Sequence, residues 1–260
     1  MTAAIDLHYE EATLFRDMIG RFCEAEVDPF YDQWERDEIL PRDIWHKLGA
    51  AGFLCVDIPQ AYGGVGSSFD MSMVINAEFS RRGYPSLGGN MTVHSDIVAH
   101  YLLNHGTEEQ KQHYLPRMVS GDCIGAVAMT EPGAGSDLRG MKATAVRDGD
   151  DWIINGTKHF ISHADVADFV IVYAASGEED TPRGKKKLIT SFIVDMGTAG
   201  FTVRDGYRNV SHRGYTNSIL EFDNCLITDA QRLGDIHKGF EVANDWLGAT
   251  RQQDAATCLG

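Results

Sequence analysis

The chain has 260 residues, of which 43% are hydrophobic and 23% charged. This is the mix of a folded globular protein, and it excludes a disordered tail, a collagen-like repeat and a disulfide miniprotein. Twenty-three basic residues against 38 acidic ones leave a net charge of −15, which repels phosphate backbones and argues against a nucleic-acid partner.

Residues 1–10 carry no basic segment followed by an apolar core, so no signal peptide is expected. No apolar run approaches the roughly 18 residues of a membrane span. Leu14, Phe15, Met18, Ile19 and Phe22 recur at helical spacing and predict an amphipathic helix. Asp28-Pro29 ends it, because Pro lacks the backbone donor and restricts the residue before it. Further apolar stripes follow at Ile44, Trp45 and Leu48, at Met71, Val74, Ile75 and Phe79, and at Ile97, Val98, Tyr101 and Leu102. Thr107 with Gln110 three residues later predicts a capping box at a helix start. Residues 1–121 therefore read as a helical domain.

From Cys123 the period changes. Short β-branched and aromatic runs at 124–130, 141–146, 152–154, 169–173, 188–194, 201–203 and 219–222 alternate with turn clusters. Many short strands at close spacing predict an antiparallel β-barrel or sandwich over 122–234. The basic run Arg183, Lys185, Lys186 and Lys187, next to Glu178, Glu179 and Asp180, reads as a solvated loop. After Gly239 the helical period returns with Phe240, Ala243, Trp246 and Leu247 and continues to the end, so 235–260 reads as the start of a second helical domain. The fold class expected is α+β, with an all-helical N-terminal domain, a middle antiparallel β-barrel and a C-terminal helix. Cys23, Cys55, Cys123, Cys225 and Cys258 form no Cys-x-x-Cys and no zinc cluster. They predict reduced, buried thiols in a cytosol-like compartment and no metal site.

The chemistry is expected in the segment 128–140, where a strand runs into a loop holding Thr130, Glu131, Gly133, Gly135 and Ser136. Glycines let backbone amides approach an anion closely, and the two hydroxyls add donors. The bottom-up reading is a strand-end loop for a polar, phosphorylated ligand, and the bland one is a glycine-rich turn with no ligand. A dinucleotide fingerprint would need a helix after the glycines. Residues 141–147 alternate like a strand instead.

The loop resembles the signature of the acyl-CoA dehydrogenase family of flavoproteins, and so do three further blocks in the same order. Residues 45–54 with 58–66 look like that family's N-terminal domain. Residues 106–116 with Ser120-Gly121 are similar to its helix before the barrel. Residues 154–162, Ile-Asn-Gly-Thr-Lys-His-Phe-Ile-Ser, resemble its second flavin segment. The resemblance covers nearly the whole chain. It implies FAD as cofactor, held by Val127, Met129, Thr130, Gly135 and Ser136 on one side and by Phe160, Ile161 and Ser162 on the other. Ser136, Thr250 and Arg251 would touch the substrate, an acyl-CoA or acyl-carrier thioester. The implied reaction removes an α-proton with a carboxylate and passes hydride from the β-carbon to flavin N5. An electron-transfer-flavoprotein-like acceptor, a homo-oligomer (dimer or tetramer) and a cytoplasmic location complete the expectation. By residue type alone, Phe160 could be strand packing, Thr130 a strand-end pairing, and Arg251 a solvated helix residue.

The resemblance places the catalytic base beyond Gly260, in a C-terminal helical domain largely missing from these residues. The alternative family position, just before the arginine, is held by Thr250. Asp245 and Asp254 read as surface charges, and Glu131 as a backbone-bonding loop residue. The stretch from Arg208 to Asn217 departs from the family pattern and is expected to bias the substrate or cofactor environment. Two other readings remain at this point: a related flavin oxidase or monooxygenase, and a non-catalytic protein that binds an acyl carrier or partner.

Overall fold

The computed structural model describes residues 2–182 and 184–260. Met1 and Arg183, the first residue of the basic run, lie outside the described residues. The first half is helical: α1 (Thr2–Glu26), α2 (Tyr31–Asp37), α3 (Arg42–Ala50), α4 (Phe69–Arg81), α5 (Pro85–Met91), a π-helical segment (Thr92–Val98), α6 (Ala99–His105) and α7 (Glu108–Ser120). The later stripes face inward, whereas in the first stripe Ile19 is buried, Phe15 and Phe22 are half-buried, and Leu14 and Met18 are exposed. Ile19, Ile44, Leu48, Phe79 and Leu102 are all fully or almost fully buried, each worth about 1.5–3 kcal/mol against exposure. The capping box at Thr107 forms as expected, with Thr107 Oγ1 accepting from Gln110 N and Gln110 Oε1 accepting from Thr107 N. The same Gln110 amide then donates to the carbonyls of Ala230 and Arg232, so one cap also ties the helices to the sheet.

The strands are β1 (Gly125–Ala128), β2 (Thr144–Asp148), β3 (Asp151–Ser162), β4 (Phe169–Thr181), β5 (Gly184–Asp195), β6 (Phe201–Tyr207), β7 (Asn217–Thr228) and β8 (Arg232–Leu233). They form one sheet in the order β6-β7-β3-β2-β4-β5-β8, with β1 beside β4. Antiparallel pairing dominates, as expected, while β1–β4 and β2–β4 are parallel. The first strand thus ends where the sheet's centre begins, and its terminal loop emerges over β3. Arg42 joins the halves by reaching Asp168 at 2.5 Å and the carbonyls of Val166 and Asp122.

After the sheet come α8 (Gly239–Asp245) and α9 (Leu247–Leu259). The single helix expected here is two, broken at Trp246. That indole stacks on His100 at 3.9 Å, and His100 in turn holds Asp57 at 2.9 Å. Asp245 is taken up by Asn104 and His105, at 3.2 and 3.1 Å. From there α9 runs back across α4, where Gln253 donates to Ser72 Oγ.

Three expectations are corrected. The lysines of the basic run lie in β5 rather than a loop, and Lys185 and Lys186 pair across the hairpin with Glu178 and Glu179. Opposite charges facing each other on adjacent strands explain the composition as well as a loop does. Strand β2 starts at Thr144 rather than 141, because Leu138–Gly140 closes a short 3-10 turn first. Four cysteines are buried thiols, but Cys258 is exposed on the last turn of α9.

Candidate functional site

Strand β3 decides how this surface is built. Trp152, Ile154 and Lys158 share one parity and are buried. Continued alternation would bury Phe160 next. Instead the β3–β7 register shifts between Lys158 and Ile161, and Phe160 takes a left-handed backbone, φ 55°. The bulge turns Ile161 inward and leaves the Phe160 ring 54% exposed. Left-handed backbone on a bulky residue is strained, and bulges re-aim side chains where function needs it. The exposed ring stacks on Tyr207 at 4.4 Å, whose hydroxyl pairs with His159 Nδ1.

The loop after β1 lies against this bulge. His159 N donates to the Thr130 carbonyl at 2.9 Å, so Thr130 and Phe160 are neighbours. Thr130, Val127 and Met129 are half-buried. A tight turn, with Glu131 and Ala134 exchanging backbone hydrogen bonds, then lifts Gly133, Gly135 and Ser136 to the surface. A Cβ built on Gly133 or Gly135 would meet no protein atom within 4 Å. Among the described residues, the amides of Gly135 and Ser136 have no backbone partner. Exposed amides without partners beside a serine hydroxyl are the donor set an anion such as a phosphate requires.

Beneath the loop sits a pair whose geometry the sequence reading missed. Lys158 and Glu131 are buried and meet at 2.8 Å. Lys158 Nζ also donates to the Met129 carbonyl at 3.1 Å, and Glu131 accepts from the amides of Lys142 and Ala143 at 2.6 and 3.0 Å. Glu131 is thus a backbone-bonding residue, as expected, and also the counter-ion of a buried ammonium. Burial pushes Lys158 down to about 8 despite the carboxylate. Its parity with Trp152 and Ile154 was the available signal, because an inward lysine needs a carboxylate. Across the pair, Gly156 adopts φ 143° and comes so close to Ala143 that a Cβ would lie 2.6 Å from the Ala143 Cβ. Only glycine lets β3 and the loop's return strand meet there.

Ser162 Oγ lies 2.5 Å from the Tyr215 hydroxyl. Tyr215 was not singled out in the sequence, although the stretch holding it was. It comes from the departing stretch 208–217 and packs on Gly89, where a side chain would collide with its ring. Burial raises its phenol above the ordinary range. Beyond Tyr215 opens a cavity of about 390 Å³ between α5, the π-helical segment, this stretch and α9.

The structure sets Thr130 beside Phe160 through the His159 amide, with Gly135 and Ser136 exposed further along the loop and Ser162 two residues on in β3. The Ile161 side chain, at 1% exposure, packs into the core, because the bulge reverses its face. Thr250 spends its hydroxyl on the Leu247 carbonyl of its own helix, and Arg251 is exposed. No described hydrogen bond or ion pair joins either to the loop.

Residues 9–122 match the family model described as acyl-CoA dehydrogenase, N-terminal domain, and 126–225 match the corresponding middle domain. A curated relative, the mitochondrial long-chain specific acyl-CoA dehydrogenase of Sus scrofa, is 36% identical over 231 residues, 88% of this chain and 53% of that protein. The crystal structure of an acyl-CoA dehydrogenase from Geobacillus kaustophilus superposes with a TM-score of 0.89 at 39% identity, covering 95% of this chain and 64% of that one. An acyl-CoA dehydrogenase of Bacillus anthracis complexed with FAD superposes at 0.86 with 28% identity, covering 95% of this chain and 42% of that one. The chain spans about half the length of the mitochondrial relative it matches.

Proposed function

The chain belongs to the acyl-CoA dehydrogenase family, and from that premise we propose that it serves the FAD-dependent α,β-dehydrogenation of an acyl thioester. The FAD named with the Bacillus anthracis relative supports the cofactor, and the donor set of this surface fits it. When bound, the flavin supplies the acceptor for the β-hydride, while a carboxylate takes the α-proton.

The chain's own residues hold and orient. The open amides of Gly135 and Ser136, with the Ser136 hydroxyl, receive the pyrophosphate. Val127, Met129 and Thr130 line one side of the ring, and Phe160 and Ser162 the other, with Ile161 contributing backbone alone. Tyr207 stacks on Phe160 and supports that ring. Lys158 and Glu131 fix the distance between loop and bulge, since both side chains are buried and each also bonds backbone of the loop. Ser136, Thr250 and Arg251 are the residues for the acyl carrier. The same reading carries an electron-transfer-flavoprotein-like acceptor and a homo-oligomer as partners. The free thiols, four of them buried, support a reducing compartment such as the cytosol. No described helix is long and apolar enough to cross a membrane.

The observation that carries the proposal is the exposed Phe160 on a strained bulge, hydrogen-bonded through its neighbour to a loop with unpartnered amides. The test is the absorption spectrum of the purified full-length gene product, since the resemblance places the proton-abstracting carboxylate beyond Gly260. A flavin spectrum that bleaches on adding a saturated acyl-CoA is expected. A colourless protein that takes up no FAD, or a yellow one that no thioester bleaches, would overturn it.

A further inference from the structure

We propose that Tyr215 is a positioning residue for the cofactor surface: its phenol donates to Ser162 Oγ and so leaves the Ser162 proton to be given outward, to the flavin. This rests on the FAD reading above and adds to it a residue from the 208–217 stretch. The two hydroxyls lie 2.5 Å apart, and among the described residues neither has another hydrogen-bond partner. One of their two protons lies in that contact and the other is free. A phenol, with an ordinary pKa near 10, gives its proton more readily than an aliphatic alcohol. Burial raises the Tyr215 phenol further, so it stays protonated and able to donate. Ser162 has somewhere to spend its own proton. Ile161 points into the core, so its strand neighbours Phe160 and Ser162 face away from it, Phe160 exposed and Ser162 half-buried.

The phenol is held from every side of its own backbone. Asn209 donates to the Tyr215 carbonyl at 2.6 Å, and the Tyr215 amide donates to the His212 carbonyl at 3.0 Å. Before it, the Gly214 carbonyl accepts from Asn90 at 3.1 Å. After it, the Thr216 carbonyl accepts from the amide of His163 at 3.1 Å, and Thr216 Oγ1 donates to Asp165. His163 directly follows Ser162, so the bond between the hydroxyls is braced by a backbone bond one residue along each chain. The Tyr215 ring also lies flush on Gly89. A serine hydroxyl alone rotates among its rotamers. With Oγ engaged by a fixed donor, its proton is aimed before any ligand arrives, and no reorganisation is needed when one binds.

The test uses the full-length gene product with Tyr215→Phe, Ser162→Ala and the double variant. Tyr215→Phe keeps the ring on Gly89 and removes only the hydroxyl. Equilibrium dialysis of the FAD-free proteins gives Kd for FAD, and dye titration of the loaded ones gives the flavin midpoint potential. Tyr215→Phe is expected to raise Kd about fivefold, the worth of one hydrogen bond. It should also lower the potential, because a donor aimed at the ring favours the electron-rich reduced form. Ser162→Ala, which leaves Tyr215 in place, should move both quantities in the same direction, and adding Tyr215→Phe to it should change neither further. No change in either single variant, effects that simply add in the double variant, or a lowered melting temperature with an unmoved potential would overturn the inference and leave the FAD reading standing. A wild-type protein that takes up no FAD would overturn both.

Discussion

Replacing Glu131 by Gln removes the charge that faces Lys158 and nothing else of size. The carboxylate meets Nζ at 2.8 Å and the amides of Lys142 and Ala143 at 2.6 and 3.0 Å, and both side chains are almost fully inaccessible. Breaking a buried pair on one side leaves an uncompensated charge and costs about 3–5 kcal/mol. For a chain of this length each kcal/mol moves the melting temperature by roughly 2–4 °C, so a fall of roughly 6–20 °C is expected. Lys158→Met should cost a similar amount. The double variant Glu131→Gln/Lys158→Met should recover much of it, because no charge is then stranded. Urea unfolding followed by circular dichroism at pH 7 measures all four proteins. The native lysine's pKa, about 8, lies below the unfolded value near 10.4. Between these the unfolded chain binds more protons, so this group's contribution to stability rises with pH over that window. Lys158→Met should abolish that rise. Single-variant costs below about 1 kcal/mol, or costs that simply add in the double variant, would refute a buried, coupled strut.

Thr107→Ala removes one half of a closed capping box and should cost about 1 kcal/mol, a melting shift of roughly 2–4 °C by calorimetry. Phe160→Asn places a residue tolerant of left-handed backbone at φ 55°. It should hold or raise the melting temperature of the flavin-free chain while weakening FAD retention in equilibrium dialysis, and unchanged retention would count against the ring's proposed place. Burial drives His94 down to about 3 and lowers His163 as well. Both therefore contribute stability above the unfolded pKa near 6.5 that is lost as the pH falls, by up to about 1.4 kcal/mol per pH unit each. Asp96, raised to about 7 by burial, acts in the opposite sense from pH 7 down toward 4. Asp96→Asn should therefore steepen the acid loss in urea titrations between pH 7 and 4.

Lys158 and Phe160 mark where the sequence stops being a sufficient guide. Period-2 alternation from Trp152 correctly sends Lys158 inward, and a buried lysine predicts a carboxylate. Glu131 was in view 27 positions away, yet no local rule joins them. Alternation also sends Phe160 inward, and there it fails, because the bulge costs local strain that only the surrounding strands compensate. The 208–217 stretch was flagged, but not Tyr215 within it, for a related reason: its place depends on Gly89 leaving room and on Ser162 lying opposite. The basic run was misplaced because a solvated hairpin and a solvated loop share a composition.

Local signals determined the change from helices to strands near Cys123, the capping box at Thr107, the strand-end glycine loop and the family resemblance, all of which depend on residues close together in the chain. Tertiary structure alone decided which face of β3 meets solvent, which carboxylate neutralises Lys158, and that residues from α5, the 208–217 stretch and α9 enclose one cavity with Asp254 in its wall. Those outcomes come from packing and desolvation between segments tens to more than a hundred residues apart, and such energies exist only once the chain has folded.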